Sequence, residues 1–480
     1  MIYSPTMWRV VGLMMCLVAC GATPPAVPPV PSQGGPAWLE LESEHFTVWT
    51  DSTPEQGRAL VRTMERLRNV VHGVSFFEQS SKARSFVIAF RNLEEVHAYL
   101  PRQFIAHAWS ARNPLAQPVM VLATSSLDDA NHIVTHELTH VIAFNVIPDQ
   151  PRWFAEGIAG YFETVRVDGA KIEVGRPLDH RFAQIRRGGL VPVAQLFACD
   201  AAECADDRFY ATSWALVTYL INTQPDALLR YMQRLVETPR AQQAALWPEV
   251  FPSLPLATLD RDLKRWLANG RIQINHYNGT FTDTPPVERP LTDADALAAR
   301  GLVRILSTRG GVPDEVTQAL ALDPTAVLPN VIAATASRSI DADKARAIAA
   351  AHPDDWRAWW LVGMSGGDTR DALTRMCALL EQRPAALPPQ LCAPAALDPS
   401  KDPRNLVFRE ALPRINACLA KFRTKPAADA AMEIDIADSG AVRSARATIG
   451  SPEVNACLED VLRSLTFPAG YPGPYRFGGR

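Results

Sequence analysis

The chain has 480 residues and a formal net charge of −3, enough length for roughly two to four domains with a sizeable core. The near-neutral balance and the lack of any long basic run argue against a nucleic-acid binder. Proline is abundant, at 39 residues, which predicts extended linkers and helices cut into short pieces.

Residues 1–20 carry one positively charged side chain, Arg9, ahead of an apolar stretch at 10–19. That stretch is too short to span a bilayer as a helix and fits a secretory signal. It ends in Leu17-Val18-Ala19-Cys20, which resembles a bacterial lipobox. The resemblance implies that Cys20 is lipidated and becomes the first residue after cleavage; the alternative is an ordinary signal peptide cut nearby. With Gly21 in place of Asp after the cysteine, the segment is similar to lipoproteins that go on to the outer membrane. The expectation is an exported chain, held at the bacterial outer membrane or in the periplasm by lipid on Cys20. Residues 21–37 are rich in Pro and Gly and read as a semi-rigid tether.

Residues 38–285 read as the first folded domain, of α+β class. Phe46-Thr47-Val48-Trp49-Thr50 is a strand candidate. Residues 54–71 have helical spacing, with Leu60, Val61, Met64 and Leu67 on one side. Residues 85–90 read as a buried strand, 92–100 as a short helix and 118–123 as another strand. The next stretch, 131–163, contains His136-Glu137-Leu138-Thr139-His140, an H-E-x-x-H run. On a helix, residues four apart share a face, so both imidazoles can reach one Zn²⁺, and Glu137 can reach water beside it.

A catalytic zinc site wants a third protein ligand. The first helix stops before Pro148, and Asp149 is placed to cap a second one with Pro151 in its first turn. A short turn makes the two helices neighbours, so Glu156 can face the histidine pair. Gly157 and Gly160 allow close helix approach. Glu163, seven residues on from Glu156, is the second choice of ligand or a partner of a ligating histidine.

The H-E-x-x-H run followed by Trp153-Phe154-Ala155-Glu156-Gly157-Ile158-Ala159-Gly160-Tyr161-Phe162-Glu163 resembles the gluzincin metallopeptidases, and within them the small bacterial peptidase MA-like branch. The resemblance is specific over these two helices and looser over residues 38–275. It implies a gluzincin-like fold, one Zn²⁺ held by His136, His140 and Glu156, and Glu137 as general base. It also implies that the strand at 118–123 is the sheet edge that pairs with substrate backbone; a plain structural strand is the alternative. Related peptidases carry a tyrosine-bearing helix downstream. Here residues 209–221 supply one, with Tyr210 the candidate donor to the oxyanion, and Tyr161 and Tyr219 behind it. The alternative for these tyrosines is an aromatic core stripe. Between the two segments, glycines break residues 165–193 into an expected hairpin and loop, where His180 reads as a solvated histidine, with stabilisation of an oxyanion the alternative.

Residues 286–400 change character, with Ala- and Leu-rich helical periodicity and Asp323-Pro324 and His352-Pro353 at the breaks. They resemble irregular tetratricopeptide helix pairs, which bind proteins or brace a neighbour. Residues 401–480 alternate as helix, two strands and helix, with Cys418 and Cys457 one in each helix. This plan resembles the TonB-like carboxy-terminal domains of envelope proteins, which bind partners, some with the two helices stapled; a small α+β cap is the alternative. Cys16 leaves with the signal and Cys20 carries lipid. The remaining cysteines fall into three within-segment pairs, Cys199/Cys204, Cys377/Cys392 and Cys418/Cys457, as suits an oxidising compartment; a Cys-based metal site is the weaker alternative for Cys199 and Cys204, because no second pair lies close in sequence.

The expectation from sequence is a membrane-tethered zinc metallopeptidase acting on peptide or protein substrates, including cell-wall cross-bridge peptides as one target class. Envelope proteins are expected partners of its C-terminal half. The alternative is a catalytically inactive envelope scaffold that works through its two later modules.

Overall fold

A computed structural model describes residues 27–74, 84–102, 104–110, 113, 115–126, 131–200, 204, 206–281, 283–308, 310–366, 370–382, 392, 403–422, 431–437, 439–467 and 473–477. The lipobox and Cys20 lie outside the described residues, as does Asp438 of the turn expected between the last two predicted strands. In chain order the first elements are β1 (Leu39–Glu42), β2 (Phe46–Thr50), α1 (Pro54–Val74), β3 (Ser85–Phe90), α2 (Leu93–His97), β4 (Ala106–Trp109) and β5 (Val119–Ala123). Then come α3 (Asn131–Val146), α4 (Arg152–Phe162), β6 (Arg166–Asp168), β7 (Lys171–Val174), α5 (Asp179–Gly188), α6 (Val193–Ala198), α7 (Asp207–Thr223), α8 (Pro225–Glu237), α9 (Leu246–Val250), α10 (Leu256–Ala268), β8 (Asn275–Asn278) and β9 (Val287–Pro290).

The organising element is a six-stranded sheet in the order β4-β5-β3-β2-β1-β9. The β2–β3 and β3–β5 pairs are parallel and the other three are antiparallel. Successive side chains alternate between its faces. Val87 and Ala89 of β3, with Met120 and Leu122 of β5, join Leu60, Val61, Met64 and Leu67 of α1 and Leu138 and Val141 of α3. Phe86, Ile88 and Phe90, with Val119 and Val121, point to a second core on the other face. Both faces are covered, which is why β3 and β5 read as unbroken apolar runs.

Two expectations change here. The strand at 118–123 is not the edge: β5 lies between β3 and β4, and the edge is β4. A fully buried strand such as β5 suits an interior position. The segment after the second helix forms the hairpin β6–β7, completed by β8 into a three-stranded sheet, but the expected loop contains helix α5.

A run of helices follows: α11 (Asp293–Thr308), α12 (Asp314–Leu322), α13 (Val327–Ser337), α14 (Ala342–Ala351), α15 (Trp356–Met364) and α16 (Arg370–Gln382). α11 packs on α12 and α13, α13 on α15, and α15 on α14 and α16. The division at 285/286 falls at the entry to β9, which pairs antiparallel with β1, Leu39 opposite Pro290. Directly after it, Ala296, Ala298, Ala299, Leu302 and Val303 of α11 cover the second face of the sheet. There Glu95 of α2 and Arg300 of α11, each with a side chain 1 % exposed, form an ion pair at 2.9 Å. The Arg300 guanidinium also lies over the Trp38 ring.

The last segment holds α17 (Pro403–Lys421), β10 (Ala431–Ile436), β11 (Val442–Thr448), α18 (Pro452–Arg463) and β12 (Gly473–Phe477). The sheet order is β11-β10-β12, and the two helices share its core. The chain is thus a multidomain α+β protein. Its cysteines pair as expected, Cys199–Cys204, Cys377–Cys392 and Cys418–Cys457.

Candidate metal centre

Helix α3 buries Val134, Leu138 and Val141 against the sheet. The four-residue spacing puts His136 and His140 together on a neighbouring stripe, their ring centroids 4.9 Å apart and nearly perpendicular at 82°. The helix ends at Val146, ahead of Pro148, which cannot continue it. The expectation that Asp149 caps the next helix is not met. Its N-cap is Pro151, in extended conformation, and no side chain caps it. From Trp153 to Phe162, every residue of α4 is buried except Glu156. A carboxylate left in such a setting requires charged or donor partners.

Its partners are the two histidines. Nε2 of His136 and Nε2 of His140 each lie 3.3 Å from the same Glu156 Oε2. The candidate ligand atoms of the three residues all lie within 4.8 Å of one another. A tetrahedral zinc with bonds near 2.0–2.2 Å places its ligands about 3.3 Å apart. The spacing and the donor set therefore fit a zinc ion held by His136, His140 and Glu156. The side chains are 12 %, 9 % and 13 % exposed, so the group is not sealed from solvent.

Glu163 lies behind the cluster. Its Oε2 is 3.3 Å from Nδ1 of His136, the ring nitrogen not aimed at Glu156. Arg181 and His180, both on α5, approach the same carboxylate at 3.6 Å. His180 is thus part of this surround and not an isolated loop residue. Burial alone would depress the His136 pKa, but the carboxylates of Glu156 and Glu163 outweigh it and push it up to about 10. Burial works against Glu156 too, yet the His140 and His136 imidazoles hold its carboxyl well below the usual range. Glu163 is likewise held down, by His136 and then Arg181, against its own burial. The pocket is a nest of carboxylates that demands positive charge.

Glu137 is half-buried on α3 beside His136, and its charge acts to raise the pKa of His136, His107 and Tyr210. Tyr210 sits in the first turns of α7, and Arg152 Nη2 lies 3.5 Å from its hydroxyl. Burial and then the Glu156 charge push the phenol above its ordinary range, while Arg152 pulls the other way. The hydroxyl therefore stays protonated and can donate. The Arg181 guanidinium lies over the same ring, 5.7 Å from its centroid. Tyr161 and Tyr219 are not brought to the cluster. The Tyr161 hydroxyl accepts from Asn275 Nδ2 at 2.8 Å, and Tyr219 packs on Trp266.

The structure adds residues that the sequence did not single out. His107, on edge strand β4, is held below its usual pKa by burial, with Glu137 and Glu156 acting in the opposite direction. Its ring packs edge-on against Trp109 at 4.6 Å. Nothing in Ala106-His107-Ala108-Trp109 marks it as part of a site. Arg152 had one signal available: it precedes Glu156 by one helical turn and so shares its face.

A family model described as "Protein of unknown function (DUF1570)" matches residues 131–240. That span runs from α3 through α8 and contains the metal cluster, Glu163, Arg181 and Tyr210. No curated protein matches the chain.

Proposed function

We propose that the protein is a zinc-dependent metallopeptidase that hydrolyses peptide bonds. The observation that carries this reading is the pair of imidazole Nε2 atoms, both 3.3 Å from one carboxylate oxygen of Glu156, beside the carboxylate of Glu137. Zinc bound there lowers the pKa of water and polarises a carbonyl. The chain's own residues do the remaining work. Glu137 takes the proton from the attacking water and delivers it to the leaving amine. Tyr210 donates a hydrogen bond to the oxygen that gains charge. The free side of β4, the sheet edge that packs beside α3, offers backbone groups to an extended substrate.

The wider setting is part of the same proposal. Lipid on Cys20 tethers the chain to a bacterial membrane surface; among the described residues, no helix is long and apolar enough to cross a membrane. The helices α11–α16 serve as a tetratricopeptide-like brace, and the C-terminal α+β module is a TonB-like partner-binding unit. The deciding experiment is elemental mass spectrometry on the full chain purified without added metal. About one zinc per chain is expected. No zinc, with none taken up on titration, overturns the proposal.

A further inference from the structure

At the start of α4, Arg152 and Gln150 hold buried side-chain atoms that have no hydrogen-bond partner among the described residues. In the first turn of the helix, which starts after Pro151 with no side-chain cap, the N–H groups of Phe154 and Ala155 turn back to the Pro151 carbonyl at 3.0 Å. Arg152, in that turn, has its guanidinium over the Phe209 ring and one long contact, 3.5 Å, to the Tyr210 hydroxyl. Its Nε is buried with no hydrogen-bond partner. Among the described residues, no carboxylate lies within ion-pair distance of it, whereas Arg181 nearby has Glu163. On the other side of Pro151, Gln150 is 8 % exposed, and neither atom of its side-chain amide is bonded. Buried donors without acceptors are costly, and Arg152 as a whole is a half-buried cation. The contact with the Tyr210 hydroxyl sets Arg152 beside helix α7, next to the candidate oxyanion donor.

We infer that Arg152, with Gln150, binds a carboxylate carried by the substrate close to the bond that is cut. This rests on the peptidase reading and gives it a substrate class. Four residues along a helix rise about 6 Å, and an extended peptide rises about 3.3 Å per residue. The carboxylate therefore belongs one or two residues from the scissile bond. It is either the free chain terminus or an Asp or Glu side chain; the chemistry at Arg152 is the same for both.

The test uses the zinc-loaded full chain and two matched peptide pairs: one differing in a free C-terminal acid against its amide, the other in an internal Glu against Gln. The carboxylate member of one pair is expected to be cleaved with about tenfold to hundredfold higher kcat/KM, the scale of a charge-assisted contact. The pair that responds identifies the source. Arg152→Gln is expected to erase that ratio through KM, Arg152→Lys to keep part of it, and Tyr210→Phe to slow both members while preserving it. If Arg152→Gln slows all four peptides equally, the arginine only positions Tyr210; the inference falls and the peptidase stands. Failure of the wild type to cut any peptide overturns the peptidase reading instead. Calorimetry with an N-acetyl tripeptide acid and its amide reads the carboxylate site without turnover, and equal binding of the two overturns it.

Discussion

The Glu163 carboxylate lies 3.3 Å from Nδ1 of His136, while Nε2 of the same ring lies 3.3 Å from Glu156. One imidazole is thus held from both sides, which fixes its orientation and aims Nε2 at Glu156. Glu163→Gln keeps the shape and removes the charge that makes the ring a strong ligand. Zinc affinity, read by competition with a chromophoric chelator, is expected to fall about tenfold to hundredfold with the fold intact.

Glu137 holds no position among the three metal-facing groups, so its loss separates binding from chemistry. Glu137→Gln is expected to retain full zinc stoichiometry and lose about a hundredfold or more of peptide hydrolysis. Comparable turnover in this variant would remove Glu137 from the mechanism.

His136, with a pKa near 10 against an ordinary 6.5, is protonated at neutral pH in the metal-free protein. A raised histidine pKa stabilises the fold fully below about pH 6.5 and loses that contribution as pH rises through about 10. The melting temperature of chelator-stripped protein should therefore drop across that window, and zinc-loaded protein should show a flatter profile. Zinc must displace the proton. Calorimetric heats of zinc binding near pH 7 are expected to differ between two buffers in proportion to their ionisation enthalpies.

Gly157 is where α4 meets α7 most closely. A Cβ there would sit 2.4 Å from Val217 Cγ2 and 2.5 Å from the Ser213 carbonyl oxygen. Gly157→Ala must push the helices apart, at a cost of about 1–3 kcal/mol, and it moves the adjacent Glu156. Lower thermal stability and weaker zinc binding are expected together. At Gly160 the nearest atom is Trp214 Cβ at 3.3 Å, so the same substitution there should be milder on both counts.

The buried Glu95–Arg300 pair also has a pH signature. Burial, and then the Asp51 charge, push Glu95 up to about 7, with Arg300 opposing. A carboxyl raised in the folded state holds its proton longer than in the unfolded chain. Stability is therefore highest below about pH 4.5 on this account and declines as pH rises to about 7. Arg300→Met removes the cation that neutralises these carboxylates. Urea unfolding should show a loss of about 3–5 kcal/mol at about pH 8 and a clearly smaller loss at about pH 5, where Glu95 keeps its proton.

The grouping of His136, His140 and Glu156 was legible because its information is local: two histidines four apart, then a glutamate across one short turn. The strands β3 and β5 were legible for a similar reason, being apolar on both faces. What a strand pairs with is not written in its own residues. Val119–Ala123 gave no sign that Ala106–Trp109 lies outside it, so the edge was assigned to the wrong strand and His107 was missed. Asp149 is a good cap by residue type, yet the chain turns so that Pro151 takes that place. Arg152 and Gln150 become informative only once burial shows that their polar atoms lack partners.

Strand β9 pairs with β1 across about 250 residues of intervening chain. While the protein is being made, β1 has no outer neighbour until nearly the whole metal-bearing region has already been synthesised. An unpaired strand edge is a template for pairing with another chain. The nascent protein therefore carries an adhesive border through most of its synthesis. A chain terminated at the proline pair before β9 would keep that border for good: such a fragment should associate or aggregate even with every metal ligand in place.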